Sequence, residues 1–270
     1  MKTRIITQEV TFSASPREVY EALMDPAKHS TFTGAPAEIE KKPGGRFVQN
    51  NGGHWGTLIE FEQDKRIVQS WHARNWPEDH YSMVAISLTP LAGGRRTQLS
   101  LVHTGVPGDH FDEVSNGWQK FYWTKMAAYF RNEKAVVVRR FVEEVVNKGN
   151  LDIVNELFTP GFILHRAGST LLPIGPAGPK EIGRALVAAF SERCVAMEDT
   201  LVEDDRVAER HAISAVHTGT FNNVPATGRK VCWTENNIYR IQDNRIAEAW
   251  TETSLHDLMA QITFKQAKAA

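Results

Sequence analysis

The sequence predicts an α+β fold in two consecutive domains, and three patterns carry that prediction. Residues 4–105 hold a helix start and a series of extended runs at about ten-residue spacing, which is typical of an antiparallel meander. Residues 109–131 have the apolar periodicity of a helix, and residues 207–254 contain three further runs of period 2. At 270 residues the chain is long enough for two ordinary domains, which we place at 1–132 and 133–270.

The first domain is predicted to begin with a strand over residues 4–12 and a helix that starts at Ser15. Ser15 is the N-cap, Pro16 occupies the first helical position, Glu18 completes a capping box, and Asp25-Pro26 ends the helix. Further strands are predicted at 46–50, 54–63, 66–74, 81–90 and 97–105, ahead of the long helix at 109–131. A strand, a helix, a meander and a long helix together make a helix-grip domain.

Several motifs of this half are also those of a known family; they lie at residues 13–22 (SASPREVYEA), 25–26, 44–47 (GGRF), 55–56, Trp71 and 118–121 (WQKF). With these motifs the half resembles the START-like SRPBCC superfamily, specifically the homologues of the heat-shock-protein-90 ATPase activator, over residues 3–130. The resemblance implies either a cavity for an apolar small molecule between the sheet and the long helix, or contact with a chaperone. The candidate ligand-binding aromatics are Trp55, Trp71, Trp118 and Tyr122, for which simple core filling is the alternative.

The second domain is predicted to contain helices over residues 135–147, 150–158 and 179–191, with a short strand at 162–165. The Gly- and Pro-rich residues 169–179 are expected to form a loop over a cavity mouth. A sheet follows, beginning at 196–203 and continuing through 207–220, 230–241 and 245–254.

The second half carries its own set of motifs, at residues 162–165, 175–182 (GPAGPKEI), 203–207 (EDDRV), 217–221 (HTGTF), 224–229 (VPATGR), 238–240, 243–246 and 248–250 (EAW). These motifs resemble those of SnoaL-like polyketide (ester) cyclases, over residues 136–262. The resemblance implies a cystatin-like α+β cone with a pocket in its mouth, and a homodimer through the open sheet face. In the family an acidic acid/base lies four positions after a tryptophan; here that position is Ser254, and Glu252 is expected to replace it.

Three residues of this domain are candidates for general acid–base chemistry. Proton transfer at a carbonyl compound needs a group whose pKa lies near the working pH, which favours histidine or a desolvated carboxyl. We therefore expect catalysis by His217, Glu252 and His165, with His217 and Glu252 within about 10 Å of each other in one cavity. The alternative is that these side chains satisfy a turn or face solvent. The expected substrate-binding residues are Trp250, Trp233, Ser254 and Glu235.

Composition argues against several other classes of protein. A net charge of −1 does not favour nucleic acid or an anionic membrane, and no apolar run or signal peptide predicts membrane insertion or export. Two cysteines without metal spacing indicate a reduced, cytoplasmic protein. The scattered histidines predict no metal site, and the absence of GxGxxG and P-loop motifs predicts no nucleotide cofactor.

The sequence thus supports two function hypotheses. The first is a cofactor-free cyclase or isomerase acting by general acid–base chemistry on a small hydrophobic, polyketide-like carbonyl compound in the C-terminal cavity. The alternative is a protein without catalysis, which either binds hydrophobic ligands in two cavities or contacts a chaperone.

Overall fold

A computed structural model describes residues 1–165 and 173–264, and the chain divides into two compact units, Met1–Asn132 and Glu133–Ala270. Each unit has its own β-sheet, helices and buried apolar cluster. The predicted α+β class, with a helix-grip domain followed by an α+β cone, is confirmed.

The first unit is built on a seven-stranded antiparallel sheet with strand order β1-β7-β6-β5-β4-β3-β2. Inward-facing residues alternate along the strands, and their apolar side chains pack with the helices into one core. The strands are β1 (Thr3–Phe12), β2 (Glu38–Ile39), β3 (Arg46–Gln49), β4 (His54–Glu62), β5 (Arg66–Ala73), β6 (Ser82–Leu91) and β7 (Arg96–Pro107). The helices are α1 (Pro16–Met24), α2 (Pro26–Thr33), α3 (Phe111–Gly117) and α4 (Thr124–Arg140), the last of which contains the division between the units.

The predicted start of α1 is confirmed in detail. The Ser15 hydroxyl accepts a hydrogen bond from the Glu18 amide, and the Glu18 carboxylate accepts one from the Ser15 amide at 2.7 Å. The end of α1 differs from the prediction, because Asp25 ends α1 and also caps the start of another helix. Its carboxylate accepts hydrogen bonds from the amides of Ala27 and Lys28, and so caps a second helix, α2, that the Asp25-Pro26 signal was not predicted to start.

The predicted helix at 109–131 is present but contains an irregular turn. Between α3 and α4, Trp118–Trp123 forms a π-helical turn. A π-helical turn inserts an extra residue into the helical repeat and therefore changes which side chains face the sheet. Apolar periodicity alone does not reveal such an insertion.

The second unit is built on a five-stranded sheet with the order β8-β12-β11-β10-β9, in which only the β12–β8 pair is parallel. Helices and a π-helical segment (Phe141–Asn147) pack on its inner face. The strands are β8 (Phe158–His165), β9 (Phe190–Glu203), β10 (Arg206–His217), β11 (Lys230–Gln242) and β12 (Arg245–Thr253). The helices are α5 (Val154–Leu157), α6 (Ala177–Ala189) and α7 (Leu255–Thr263).

Two boundaries in this unit differ from the predictions. The helix predicted at 150–158 is reduced to α5, because β8 starts four residues earlier than expected, at the buried Phe158. Strand β9 likewise begins at Phe190 rather than at 196. The loop expected over the cavity mouth at 169–179 lies partly outside the described residues, and its last residues, from Ala177, begin α6.

Candidate functional site

The second unit contains a cavity of about 250 Å³ between the inner face of its sheet and its helices. Most of the wall is apolar, as is usual for small-molecule sites. The apolar lining includes Phe141, Phe158, Phe162, Leu164, Ile182, Leu186, Ile213, Trp233 and Leu258.

The polar part of the wall is formed by three adjacent strands. Strands β10 and β11 pair so that His211 lies opposite Glu235 and Glu209 opposite Asn237. Strand β12 adds Thr253 opposite Glu235. Because side chains alternate across a strand, all of these groups lie on the inner face of the sheet. The result is a polar patch within an otherwise apolar cavity.

The two carboxylate oxygens of Glu235 differ in their hydrogen bonds, as a group that transfers a proton to or from a ligand requires. Its Oε1 accepts hydrogen bonds from Trp233 Nε1 at 3.2 Å and from the Thr253 hydroxyl at 3.3 Å. Its Oε2 has no hydrogen-bond partner within residues 1–165 and 173–264. One carboxylate oxygen is thus fixed by the protein, while the second remains available to a molecule in the cavity.

His211 lies beside Glu235 and is held in place on both sides of its ring. Its Nε2 is 2.8 Å from Glu209 Oε2, and its Nδ1 is 3.2 Å from the Asn237 side-chain amide. The amide N–H donates to Nδ1, so the proton of a neutral His211 lies on Nε2 and is donated to Glu209. Both His211 and Glu209 are almost fully buried. The contacts with Glu209 and Asn237 fix the orientation of the His211 ring and occupy both of its nitrogens.

Two further groups set the electrostatics of the cavity wall. Burial lowers the pKa of the Arg193 guanidinium, which lines the cavity from β9. Burial, and then the charges of Glu209 and Glu235, raise the pKa of the Tyr239 hydroxyl well above its usual value, so this phenol stays neutral. Arg193 is therefore the cationic group of the described lining, and Glu235 is a carboxyl of the same lining.

The structure does not bring His217 and Glu252 together, contrary to the shared cavity that the sequence predicts. His217 is fully buried at the end of β10, where its Nδ1 is 3.0 Å from the Thr227 hydroxyl and its ring is 5.4 Å from that of Phe190. Glu252 is exposed opposite Asn236, on the outer face of the sheet. The two residues do not meet because the side chain of Glu252 lies on the opposite face of β12 from those of Thr251 and Thr253, which line the cavity.

His165 and Trp250 also lie on the outer face rather than in the cavity. Their rings stack at a centroid distance of 4.7 Å with an interplanar angle of 7°. His165 Nε2 is 2.9 Å from the Glu248 carboxylate, which also accepts a hydrogen bond from Arg240 Nε at 2.6 Å. Burial raises the pKa of Glu248, but the hydrogen bonds from His165 and Arg240 outweigh it and lower that pKa. This network ties β8, β12 and β11 together.

Ser254 follows the end of β12, where its hydroxyl contacts the backbone of β11. Its hydroxyl accepts a hydrogen bond from the Thr234 amide at 2.9 Å and lies 3.2 Å from the Thr234 carbonyl oxygen. It immediately precedes α7 and does not line the cavity. Of the residues expected in the C-terminal site, the structure places Trp233 and Glu235 at the cavity.

The first unit has a cavity of its own, of about 500 Å³, and three of its four candidate aromatics line it. Trp71 contributes from β5, while Trp118 and Tyr122 contribute from the π-helical turn. Trp55 does not line this cavity. Its ring packs against that of His72 at 4.4 Å instead.

The sequence predicts that Glu209 and His211 share one strand face at the wall of a polar cavity, although it does not make them catalytic candidates, and it does not indicate Asn237 or Arg193. The register that sets His211 opposite Glu235 and Glu209 opposite Asn237 depends on where β11 begins. The catalytic candidate His217 lies at the end of the same strand, outside the cavity. An alignment of the β10–β11 hairpin is the signal that identifies Asn237, whereas Arg193 lies on β9, outside that hairpin.

The described residues, 1–165 and 173–264, contain no cluster of three or more His, Cys, Asp or Glu suited to hold a metal ion. Within the same residues, no helix combines the length and the apolar character needed to cross a membrane. Cys194 and Cys232 are both free and exposed.

Each half of the chain matches its own family model. Residues 13–131 match the model described as "Activator of Hsp90 ATPase homolog 1-like protein", and residues 136–262 match "SnoaL-like polyketide cyclase". The expected resemblance of both halves is therefore confirmed: the first half is similar to the activator family and the second half to the SnoaL-like polyketide cyclases.

The curated relatives match less than half of this chain. The human "Activator of 90 kDa heat shock protein ATPase homolog 1" is 32% identical over 118 residues, which are 44% of this chain and 34% of the human protein. An uncharacterized protein of Schizosaccharomyces pombe is 29% identical over 122 residues, 45% of this chain and 36% of that protein. The matched segment thus spans about a third of the length of these relatives.

Solved structures resemble either half separately. A protein assigned as a SnoaL-like polyketide cyclase from Jannaschia sp. CCS1 has a TM-score of 0.47 at 22% identity, covering 50% of this chain and 95% of that one. An HSP90 activator from Plasmodium falciparum has a TM-score of 0.43 at 25% identity, covering 47% of this chain and 95% of that one.

Proposed function

From the match of its two halves to these two families, we propose that this chain carries a cofactor-free acid–base catalyst in its second unit. The substrate class is a small, apolar carbonyl compound of polyketide-like character, and the reaction is an intramolecular aldol cyclisation or a related isomerisation. The site is the polar patch of the 250 Å³ cavity, with Glu235 as the acid–base group.

The observation that carries this proposal is the asymmetry of the Glu235 carboxylate. Trp233 and Thr253 hold Oε1, so the group cannot rotate freely, and Oε2 is left for the ligand. A general base must reach its proton within hydrogen-bond distance in a fixed geometry, and this arrangement provides one. The apolar lining excludes water from a bound substrate, which strengthens electrostatic interactions in the site.

The proposed reaction needs no co-reactant. Glu235 Oε2 takes a proton from the carbon next to a carbonyl group, and the C–H electrons move onto the carbonyl oxygen to give an enolate. Arg193, the cation of the described lining, favours that negative charge. The enolate carbon then attacks a second carbonyl of the same molecule, and the proton returns from Glu235 to the new alkoxide. Atoms and charge balance over the cycle.

The direct test is α-proton exchange on a probe ketone. The full chain is mixed with 2-tetralone in deuterated buffer, and the loss of the α-proton NMR signal is followed against a protein-free control. Enzyme-dependent exchange that saturates with ketone concentration is the expected result. Saturable binding without exchange would instead support a non-catalytic binding cavity in this unit, and neither binding nor exchange would reject the cavity as a carbonyl site.

A second candidate function, contact with a 90 kDa heat shock protein, rests on the first unit alone. It is favoured by the 32% identity to a protein named as an activator of that ATPase. The outward side of β1, β7 and β6 also exposes a group of apolar side chains, Ile5, Val102 and Met83, where surface strands usually carry polar residues. Such a contact would place this chain with its partner in the cytoplasm.

This candidate predicts that the full chain stimulates the ATPase of a 90 kDa heat shock protein, and that Val102→Glu weakens the stimulation about tenfold in the concentration required. A charge on this patch disfavours burial against a partner. Leu91→Glu is the matched control, since Leu91 is an exposed apolar residue at the far end of β6. No stimulation by the unmodified chain would exclude this function, whatever the exchange assay shows.

We further propose that two copies of the chain pair through the outer face of the second sheet. A row of register partners crosses all five strands there: Leu201, Ala208, Ile238, Trp250 and His165. Leu201 is 72% exposed and Ile238 40%, so the row presents apolar surface that a partner copy can bury.

The pairing predicts a dimer by light scattering after size-exclusion chromatography, and a monomer for Ile238→Glu. The substituted carboxylate would be buried without a partner in the paired state, which costs several kcal/mol. Ile59→Glu, a change of the same kind in an exposed strand residue of the first unit, is expected to remain dimeric. A monomeric unmodified chain at micromolar concentration would contradict this proposal.

A further inference from the structure

The cavity of the first unit, which is independent of the proposed catalytic site, is lined by several side chains with unpartnered polar atoms. Three of the side chains that line it, His29, His54 and Trp71, each keep a buried ring nitrogen without a hydrogen-bond partner among the described residues. His29 is 2% exposed and Trp71 is 4% exposed. A buried donor or acceptor left unpaired costs about 1–3 kcal/mol, so three around one cavity call for an explanation.

Two other aromatic residues that line this cavity have their polar atoms satisfied. Trp118 Nε1 donates to His103 Nδ1 at 3.1 Å, and the Tyr122 hydroxyl donates to Gln49 Oε1 at 2.9 Å. Elsewhere in the same core, Tyr20 and Trp76 also keep an unpaired buried polar atom, but neither residue lines the cavity. The unpaired ring nitrogens of His29, His54 and Trp71 are the ones that belong to the cavity wall.

The protonation of His29 fixes what its partner must be. His29 Nδ1 is 3.3 Å from the Leu23 carbonyl oxygen, so Nδ1 carries the hydrogen and Nε2 is an acceptor that needs a donor. Burial lowers the pKa of His29 to about 4, which keeps the ring neutral near pH 7. The Trp71 indole N–H is a donor that needs an acceptor. A hydroxyl group can satisfy both requirements, and a cation cannot satisfy the indole.

The shape and lining of the cavity indicate a flat, apolar body for the same molecule. Trp118, Phe121 and Tyr122 all come from the π-helical turn Trp118–Trp123, and such turns are frequent at functional sites. Trp71 adds a further ring, packed at 4.6 Å against His54. The volume of about 500 Å³ lies within the usual range for small-molecule sites.

We propose that this cavity binds a neutral, flat aromatic molecule that carries a hydroxyl group. The hydroxyl donates to His29 Nε2 and its oxygen accepts from the Trp71 indole, while the ring system packs among the aromatic side chains of the π-helical turn. Recognition here is by hydrogen bonding of a phenol-like group, in contrast to the carbonyl chemistry of the second unit.

The test compares 2-naphthol with 2-methoxynaphthalene, which has the same rings and oxygen but no donor hydrogen. Calorimetric titration of the full chain is expected to show about tenfold tighter binding of 2-naphthol, the equivalent of one net hydrogen bond. His29→Leu should abolish this preference, because it removes the acceptor. Trp71→Phe should weaken both ligands by up to about tenfold, because it keeps a ring but removes the donor.

Trp55→Phe is the matched control, since it makes the same change in the first unit at a residue that does not line this cavity, and it should leave 2-naphthol binding unaltered. Equal affinity for the two ligands, no binding of 2-naphthol, or loss of binding on Trp55→Phe alone would each overturn the proposal. If His29→Leu does not fold, the NMR resonance of the Trp71 indole N–H provides the test. This resonance is assigned by its absence in Trp71→Phe. A downfield shift of the resonance on addition of 2-naphthol supports the proposal, and no change rejects it.

Discussion

Glu235→Gln is expected to lower the rate of 2-tetralone exchange by about 10²–10⁴-fold, which is the usual contribution of a positioned general base. The amide has the shape of the carboxylate, and its oxygen can still accept from Trp233 and Thr253. It lacks a basic oxygen to take the proton. Affinity for the ketone should therefore change little, and exchange measured at saturating ketone isolates the proton-transfer step.

Glu252→Gln is the control for this experiment, because it removes the same charge from the same sheet. Glu252 is exposed on the outer face, and exchange in this variant should match that of the unmodified chain. If Glu252→Gln loses exchange while Glu235→Gln keeps it, the assignment of the catalytic carboxylate is reversed. Retention of more than a tenth of the rate in Glu235→Gln would remove this residue from the mechanism.

Acidification from pH 7 to 4.5 is expected to destabilise the first unit by about 7 kcal/mol, which is comparable to the total stability of a small domain. The cause is the burial of neutral histidines. Burial lowers the pKa of His29 and that of His54 to about 4, and burial followed by the proximity of His54 lowers the pKa of His103 to about 3. Protonation of His103 would also break its hydrogen bond from Trp118.

The direction of this effect follows from proton linkage. In the unfolded chain the three histidines titrate near their ordinary value of 6.5, whereas in the folded unit His29 and His54 stay neutral until about pH 4 and His103 until about pH 3. Between these values the unfolded state binds more protons, so the free energy of unfolding decreases as the pH falls. Each of the three residues contributes roughly 2–3 kcal/mol to the loss by pH 4.5.

The measurement is urea unfolding at pH 7 and at pH 4.5, followed by tryptophan fluorescence in a Trp233→Phe, Trp250→Phe background. The five remaining tryptophans all lie in the first unit, so the signal reports that unit alone. His103→Gln removes one titrating group, and the difference in unfolding free energy between the two pH values should shrink by roughly 2–3 kcal/mol. A pH difference unchanged by this substitution would show that His103 is not responsible.

Much of the architecture could be read from the sequence because its signals are local. The cap at Ser15, the alternation of β10 and the turns between the last three strands depend on neighbouring residues, and each predicts its element correctly. The failures occur where one signal permits two outcomes. Asp25-Pro26 can end a helix and also begin the next one, and the apolar residues before Phe158 suit a helix as well as the approach to a buried strand.

The sequence by itself determined the two-domain α+β organisation, the resemblance of each half and the presence of a polar group on the inner strands. Only the tertiary structure decided which polar residues share a cavity. A shift of one residue along a strand moves a side chain to the opposite face, so Glu252 and Trp250 lie outside while Glu235 and Trp233 lie inside. Likewise, His211 meets Asn237 through the pairing of β10 with β11, a long-range contact that no local pattern specifies, whereas Glu209 and His211 are neighbours on the same face of β10.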